Sequence, residues 1–333
     1  MLKIGVLGAG HLGKIHLKIL KESKIFELIG VYDLNPITTK NSAESLGIIA
    51  FETPEKLIQA VDVVDIVTPT ITHFELAKQA ILAQKHVFIE KPITATLEQA
   101  NTLYELSKQH PVQIQVGHIE RYNPALIASI PYLKNPKFIE IHRLAPFNPR
   151  GTDVSVVLDL MIHDIDTLLY ITQSEIKDIY ANGVCVLSNT PDICNVRLEF
   201  TNGAVANLTA SRISMHPMRK ARFFQKDKYI AVDFLQKKCE MIQLKKNTTN
   251  TTPLDTTDPY CEIVFAHNNT QGVQIQQPII QHHNAIAQEL ESFGNAIHHK
   301  QKPEVDIIAG KNALKVALDI IDQIEKKQIP HLD

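Results

Sequence analysis

The tightest constraint on the fold is a rhythm in the first 117 residues, where short β-branched runs alternate with amphipathic stretches. Lys3–Leu7, Leu28–Tyr32, Val63–Val67, His86–Ile89 and Val112–Val116 read as strands, and Leu12–Glu22, Thr72–Gln84 and Leu97–His110 read as helices between them. Strands apolar almost throughout must be covered on both faces, which parallel strands joined by crossover helices achieve. The expectation is an α/β domain with a doubly wound parallel sheet. After about His118 the rhythm changes. A short helix over Asn123–Leu133, a strand over Phe138–Arg143 and a long buried helix over Asp153–Thr172 come first. Strands at Ile176–Val186, Ile193–Phe200, Ala204–Ser211, Lys220–Gln225 and Tyr229–Phe234 then follow one another directly. Asn202-Gly203 between two of them signals a type I′ hairpin. Successive strands with short turns imply an antiparallel sheet, hence an α+β domain. The polar, turn-rich Lys246–Pro259 reads as a surface loop, and helices over His283–His299 and Val305–Lys327 close the chain. Domains are expected at 1–118 and 119–333.

Composition removes several classes of function. At 333 residues the chain has room for two domains, and 34 Lys+Arg against 36 Asp+Glu leave no basic field for nucleic acid. The four cysteines, Cys185, Cys194, Cys239 and Cys261, contain no Cys-x-x-Cys pair, which argues against a zinc ribbon or a redox dithiol. No metal site is expected. Scattered thiols, a first strand that begins without a leader, and no apolar run near the ~20 residues of a membrane span give a cytoplasmic expectation with no membrane insertion.

Gly8-Ala9-Gly10-His11-Leu12-Gly13 follows the first strand and opens the first helix. Gly8 permits the tight turn, Gly10 lets backbone approach a pyrophosphate, and Gly13 lets helix and strand pack closely; the phosphates meet a helix N-terminus. Asp33, at the end of the second strand, would accept from both adenine-ribose hydroxyls and repel a 2′-phosphate, so NAD is favoured over NADP. Lys40 is the nearby cation that could hold a 2′-phosphate. Thr68-Pro69-Thr70 and His73 would lie along the cofactor, or else form an ordinary Pro turn with Thr70 or Thr72 capping the next helix.

Glu90-Lys91-Pro92 ends the strand His86–Ile89, at the edge of the sheet where open α/β proteins hold ligand and chemistry. Beside a nicotinamide ring, the Lys91 ammonium can give or take a proton while hydride moves. The helix Asp153–Thr172 is apolar nearly all round, yet Thr152, Ser155, Asp159, His163, Asp166 and Tyr170 recur at steps of three and four. A polar stripe on a buried helix faces either a wet cleft or a buried polar network. Asp159 and His163, one turn apart, can present a carboxylate-supported imidazole as a proton acceptor for a sugar hydroxyl; the alternative is a satisfied core histidine.

These motifs resemble those of the glucose-fructose oxidoreductase / inositol dehydrogenase (Gfo/Idh/MocA) family: the turn Gly8–Gly13, Thr68-Pro69 with His73, Glu90-Lys91-Pro92, and Asp159 with His163. The resemblance implies a Rossmann domain, an α+β domain with an open-faced, mostly antiparallel sheet, and an NAD(P)-dependent sugar or cyclitol oxidoreductase. It implies Lys91 as catalytic lysine, Asp159 and His163 in the substrate site, and a homodimer or homotetramer. Many members carry three glycines before that aspartate, where this chain has Asp153-Val154-Ser155-Val156-Val157. Gly117–Pro124, with Arg121 and Tyr122, and Asp153–Asp166 are also similar to the UDP-N-acetylglucosamine 3-dehydrogenase subfamily.

All seven arginines, Arg121, Arg143, Arg150, Arg197, Arg212, Arg219 and Arg222, fall in the first half of the second domain. Guanidinium groups hold phosphate in a bidentate grip, so an anionic substrate, most simply a nucleotide-diphosphate sugar, is expected. Salt bridges or a subunit interface would explain the same clustering. Arg121, Tyr122, Arg150, Asp159 and His163 are the candidate substrate residues. The other readings are a free-sugar or inositol dehydrogenase and a non-catalytic NAD(H)-sensing regulatory protein.

Overall fold

The computed structural model describes residues 1–148, 154–246, 261–267 and 271–327. Its first sheet is built from β1 (Leu2–Leu7), β2 (Phe26–Tyr32), β3 (Ile49–Ala50), β4 (Val63–Ile66), β5 (His86–Glu90) and β6 (Ile114–Gly117). The helices between them are α1 (His11–Lys21), α2 (Pro36–Leu46), α3 (Pro54–Ala60), α4 (Thr70–Leu82) and α5 (Leu97–Gln109). All strand pairs are parallel, in the order β3-β2-β1-β4-β5-β6. The order reverses between β1 and β4, so the crevice past their C-terminal ends is the topological switch point where such sheets take a ligand. Short β3 and the helices α2 and α3 escape the periodicity. Their starts are nonetheless written locally: Asn35 and Thr53 cap α2 and α3, each followed by Pro at the first helical position.

The second sheet uses β7 (Phe138–Leu144), β8 (Ile176–Val184), β9 (Ile193–Phe200), β10 (Val205–Ser211), β11 (Met218–Gln225), β12 (Lys228–Asp233), β13 (Lys238–Lys246), β14 (Cys261–His267) and β15 (Gln271–Gln276). Its order is β14-β15-β13-β12-β11-β7-β10-β9-β8, and only β7 with β10 is a parallel pair. Ile139, Ile141, Val196, Leu198, Ala206, Leu208, Ala221, Phe223, Ile230 and Met241 alternate along their strands and are all buried. The residues between them, such as Glu140, Tyr180, Arg197 and Arg222, stand on the opposite face and are half-buried or exposed. One face is core and the other open, as an alternating pattern demands. Helix α6 (Pro124–Ser129) and helix α7 (Ile162–Thr172) belong to this unit. β13 to β15 were not legible in the sequence.

Three local expectations need correction. The turn at Asn202-Gly203 is not type I′: only Gly203 has positive φ (79°), and the Gly203 N–H donates to Phe200 O at 2.9 Å. Thr201–Gly203 is thus a three-residue loop with a left-handed glycine at its end. The long helix does not run unbroken from Asp153; a π-helical turn over Val157–Met161 precedes α7, and Thr152 lies outside the described residues. Finally, the contacts divide the chain into Met1–Ile119 with His283–Lys315, and Glu120–His282 with Val316–Asp333. The helix α8 (Ala285–His298) therefore joins the first unit rather than the second. It does so because Leu290, Phe293 and Ile297 enter the apolar cluster of Ile4, Leu17, Phe26 and Phe88. The last helix is α9 (Ile307–Lys327).

Candidate active site

The glycine turn meets three separate steric demands. Gly8 has φ +102°, and a Cβ there would sit 2.6 Å from Val67 O. A Cβ on Gly13 would sit 2.1 Å from Gly8 O, so the start of α1 can lie against the turn only without a side chain. Gly10 is exposed, with open space where its Cβ would be. Gly10 is also the N-cap of α1 and caps it with no side chain, and the first turn holds no acidic residue. The amides of His11, Leu12 and Gly13 thus open onto a surface suited to an anion. Ala9 N–H donates to Asp33 Oδ2 at 2.7 Å, and Asn35 N–H to Asp33 Oδ1 at 2.9 Å. Both Asp33 oxygens are fixed in place, each with acceptor capacity left for a ribose hydroxyl. Lys40 points along α2 toward Glu44, at 3.8 Å. These residues fit a dinucleotide: phosphates at the α1 N-terminus, adenosine ribose at Asp33.

Beyond β4, Thr72 Oγ1 donates to Thr68 Oγ1 at 2.7 Å or Pro69 O at 2.8 Å, which fixes Thr68-Pro69-Thr70; no side chain caps α4. His73 differs from the expectation that it faces the cofactor. It is 1% exposed, with Nδ1 2.9 Å from Pro92 O and Nε2 2.8 Å from Thr68 O. Both ring nitrogens are occupied by backbone carbonyls, so His73 braces the turn after β4 against the turn after β5. Burial pushes its pKa down, and the neutral ring bears one N–H, so only one contact is a hydrogen bond at a time.

Glu90 and Lys91 stand half-buried at the end of β5, where Lys91 N–H donates to Glu90 Oε2 at 3.1 Å and the Lys91-Pro92 peptide is cis. Under them lie His16 and Asp65, which stand outside every motif read from the sequence. His16 Nδ1 is 2.9 Å from Asp65 Oδ2, and His16 Nε2 is 3.5 Å from Glu90 Oε1. A signal existed: Asp65 sits in the otherwise apolar strand Val63–Ile66, and a buried carboxylate requires a partner.

In the second unit, the stripe on the helix divides. Its far end is internal: Arg121 Nε and Nη2 donate to Asp166 Oδ2 and Oδ1 at 2.8 and 2.6 Å, and the guanidinium lies 4.7 Å over the Tyr170 ring. Asp164, off the stripe, receives Arg143 at 2.7 Å, and Arg143 also donates to Glu120 at 2.9 Å. Its near end is more open: Asp159 and His163 are half-buried, on and just after the π-helical turn. Such turns recur at functional sites. Tyr122 is buried at 3% exposure, on the same 3-10 turn as Arg121.

This geometry removes most of the argument from arginine clustering. All six described arginines have a carboxylate within 4.0 Å: Arg121, Arg143 and Arg212 in buried pairs, Arg197 with Glu199, Arg222 with Glu140, and Arg219 with Glu120 at 3.8 Å. Arg121 spends its fork on Asp166, not on an open surface. Arg150 lies outside the described residues. Among the described residues no acidic, histidine or cysteine cluster could hold a metal, and no helix is long and apolar enough to cross a membrane.

A parallel sheet of this order with an uncapped glycine turn and an acidic residue after the second strand defines a dinucleotide-binding domain. The comparisons agree. The NAD-binding Rossmann-fold model of the GFO/IDH/MocA oxidoreductase family matches residues 2–118, and the family's C-terminal domain model matches 141–226. The UDP-N-acetylglucosamine 3-dehydrogenase of Acidithiobacillus ferrooxidans is 35% identical over 97% of both chains. A solved structure of it superimposes with TM-score 0.87 at 34% identity, covering 98% of each chain. The myo-inositol 2-dehydrogenase of Thermotoga maritima is 28% identical over 65% of this chain and 70% of its own. Scyllo-inositol dehydrogenase of Lactobacillus casei, solved with NAD(H) and scyllo-inositol, shares the fold at TM-score 0.77 and 21% identity, covering 98% of this chain and 97% of its own. The chain belongs to the Gfo/Idh/MocA family and is an NAD-dependent oxidoreductase.

Proposed function

We propose that this enzyme oxidises the 3-hydroxyl of UDP-N-acetylglucosamine, passing the C3 hydride to NAD+ and leaving a 3-keto sugar nucleotide. The full-length similarity to the Acidithiobacillus ferrooxidans enzyme carries this reading. Bound NAD+ supplies the hydride acceptor. Gly8 to Gly13 hold the pyrophosphate, Asp33 the adenosine ribose, and Thr68-Pro69-Thr70 with Glu90 the middle of the cofactor. Lys91 or His163 accepts the hydroxyl proton, and Asp159 orients His163 and the sugar; a proton acceptor placed this way contributes about 10²–10⁴-fold. The pairing with Asp166 weakens Arg121 as a direct substrate contact and makes it a support of the helix that presents Asp159 and His163.

NADH absorbance tests the reading when purified protein and NAD+ meet UDP-N-acetylglucosamine, other UDP-sugars, free sugars and myo-inositol. Turnover of UDP-N-acetylglucosamine with a 3-keto product supports it. Turnover confined to uncharged sugars or inositol sinks it. NAD binding without turnover of any of them would favour a sensor of NAD(H). We also infer a cytoplasmic homodimer or homotetramer with domains at about 1–118 and 119 onward, apart from the α8 segment. The open sheet face, with Glu140, Tyr180, Arg197 and Arg222, supports assembly because an uncovered face is the surface a second copy would cover. Light scattering on the purified protein checks the assembly.

A further inference from the structure

The least explained feature of the first unit is a row of three ionisable side chains beneath the turn that carries Lys91. His16 projects from the buried side of α1 and is 1% exposed; Asp65, in β4, is 0% exposed. The imidazole lies between two carboxylates, 2.9 Å from Asp65 and 3.5 Å from Glu90, with its edge set against Phe88 at a centroid distance of 5.8 Å. Burial opposes a charge on the ring, yet the two carboxylates outweigh it and hold the His16 pKa up to about 10. The ring is therefore an imidazolium: Nδ1 donates to Asp65 at 2.9 Å, and Nε2 faces Glu90 as an ion pair at 3.5 Å without a hydrogen bond.

Glu90 is the outer member of the row. Its Oε2 accepts the Lys91 N–H while Oε1 faces His16. The charged and titratable groups around it are His16 from α1, Asp65 from β4, His73 from α4 and Lys91 beside it. A second observation comes from the neighbouring strand. Gly117 of β6 is paired with Glu90, and a Cβ on Gly117 would sit 2.9 Å from the Glu90 carboxyl carbon and both its oxygens. The carboxylate thus occupies a slot that exists because residue 117 has no side chain. It is clamped by a cation on one side, a backbone amide on another and a bare strand on a third.

The geometry points to His16 as a positioning residue for the reaction: it holds the Glu90 carboxylate in its slot, and Glu90 in turn fixes the backbone from which Lys91 reaches substrate. Without the imidazolium, the buried Asp65 and the half-buried Glu90 would have no cation between them, and Glu90 would swing away. The catalytic half of this inference rests on the role proposed for Lys91; the structural half does not.

The test uses full-length protein, with ¹⁵N-histidine labelling and two variants. In the wild type, the His16 ring should show both nitrogens protonated at pH 8. His16→Gln keeps a donor but no charge. Gly117→Ala leaves His16 and Asp65 intact and fills the slot. Both should lower kcat about 100-fold, the cost of a misplacement near 1 Å. Both should also shift the Lys91 amide resonance, a readout that needs no substrate. A neutral His16 ring at pH 8, or an unmoved Lys91 amide in both variants, overturns the inference. So does kcat within about twofold of wild type in both. Should the wild type turn over none of the sugars, the functional reading fails, and the ring and amide signals still decide whether His16 positions the turn.

Discussion

The two units handle polar groups in opposite ways. Past the parallel strands, capacity is left pointing outward: α1 starts uncapped, Gly10 faces open space, and Asp33 is held by Ala9 and Asn35 with lone pairs to spare. On the helix of the second unit, charges close on themselves: Arg121 on Asp166, Arg143 on Asp164 and Glu120. Outward capacity at strand ends is completed by a ligand, whereas buried charges must be completed from within. A cluster of arginines is therefore weaker evidence for an anionic substrate than a helix start that lacks a cap.

The contrast can be broken from either side, and the largest expected effect is on turnover. Lys91→Ala should reduce kcat by about 10²–10⁴-fold while NAD affinity, measured by calorimetry, is kept. A parallel loss of NAD binding would instead make Lys91 part of the cofactor cradle. Next comes Arg121→Ala, which strands the Asp166 carboxylate in a buried setting. It should cost about 3–5 kcal/mol in denaturant unfolding, and replacing both partners with apolar residues should restore most of that. If the single variant unfolds like wild type, Arg121 is not a structural arginine and the substrate role returns.

A pH series sharpens the first unit's exception, His16. Its pKa rises from 6.5 to about 10 on folding, so its stabilising contribution is complete below pH 6.5 and fades as pH climbs toward 10. The unfolding gap between wild type and His16→Gln should be widest below pH 6.5, by a few kcal/mol, and narrow at alkaline pH. A gap that widens with pH contradicts the imidazolium. Asp33→Ala should weaken NAD binding by about 1.5–3 kcal/mol, the worth of hydrogen bonds to a charged group, and narrow the preference over NADP. Thr96→Ala is the smallest: loss of the α5 cap, which receives Gln99 N–H at 3.2 Å, should cost about 1 kcal/mol and leave turnover unchanged.

The sequence alone determined what depends on neighbours along the chain. The period of the strands gave a parallel sheet followed by an antiparallel one, and the glycine spacing gave the turn, because both signals are local and obey fixed geometry. Asp33 and Lys91 could be singled out because each directly follows a strand of a parallel sheet. Only tertiary structure decided what depends on partners far apart in sequence. His73 faces two carbonyls rather than open space, Arg121 is spent on a carboxylate 45 residues away, and α8 completes the first core from the far end of the chain. His16, 49 residues from Asp65, acquires its charge the same way. A side chain's type is written in the sequence, but its protonation and its orientation belong to whatever the fold brings against it.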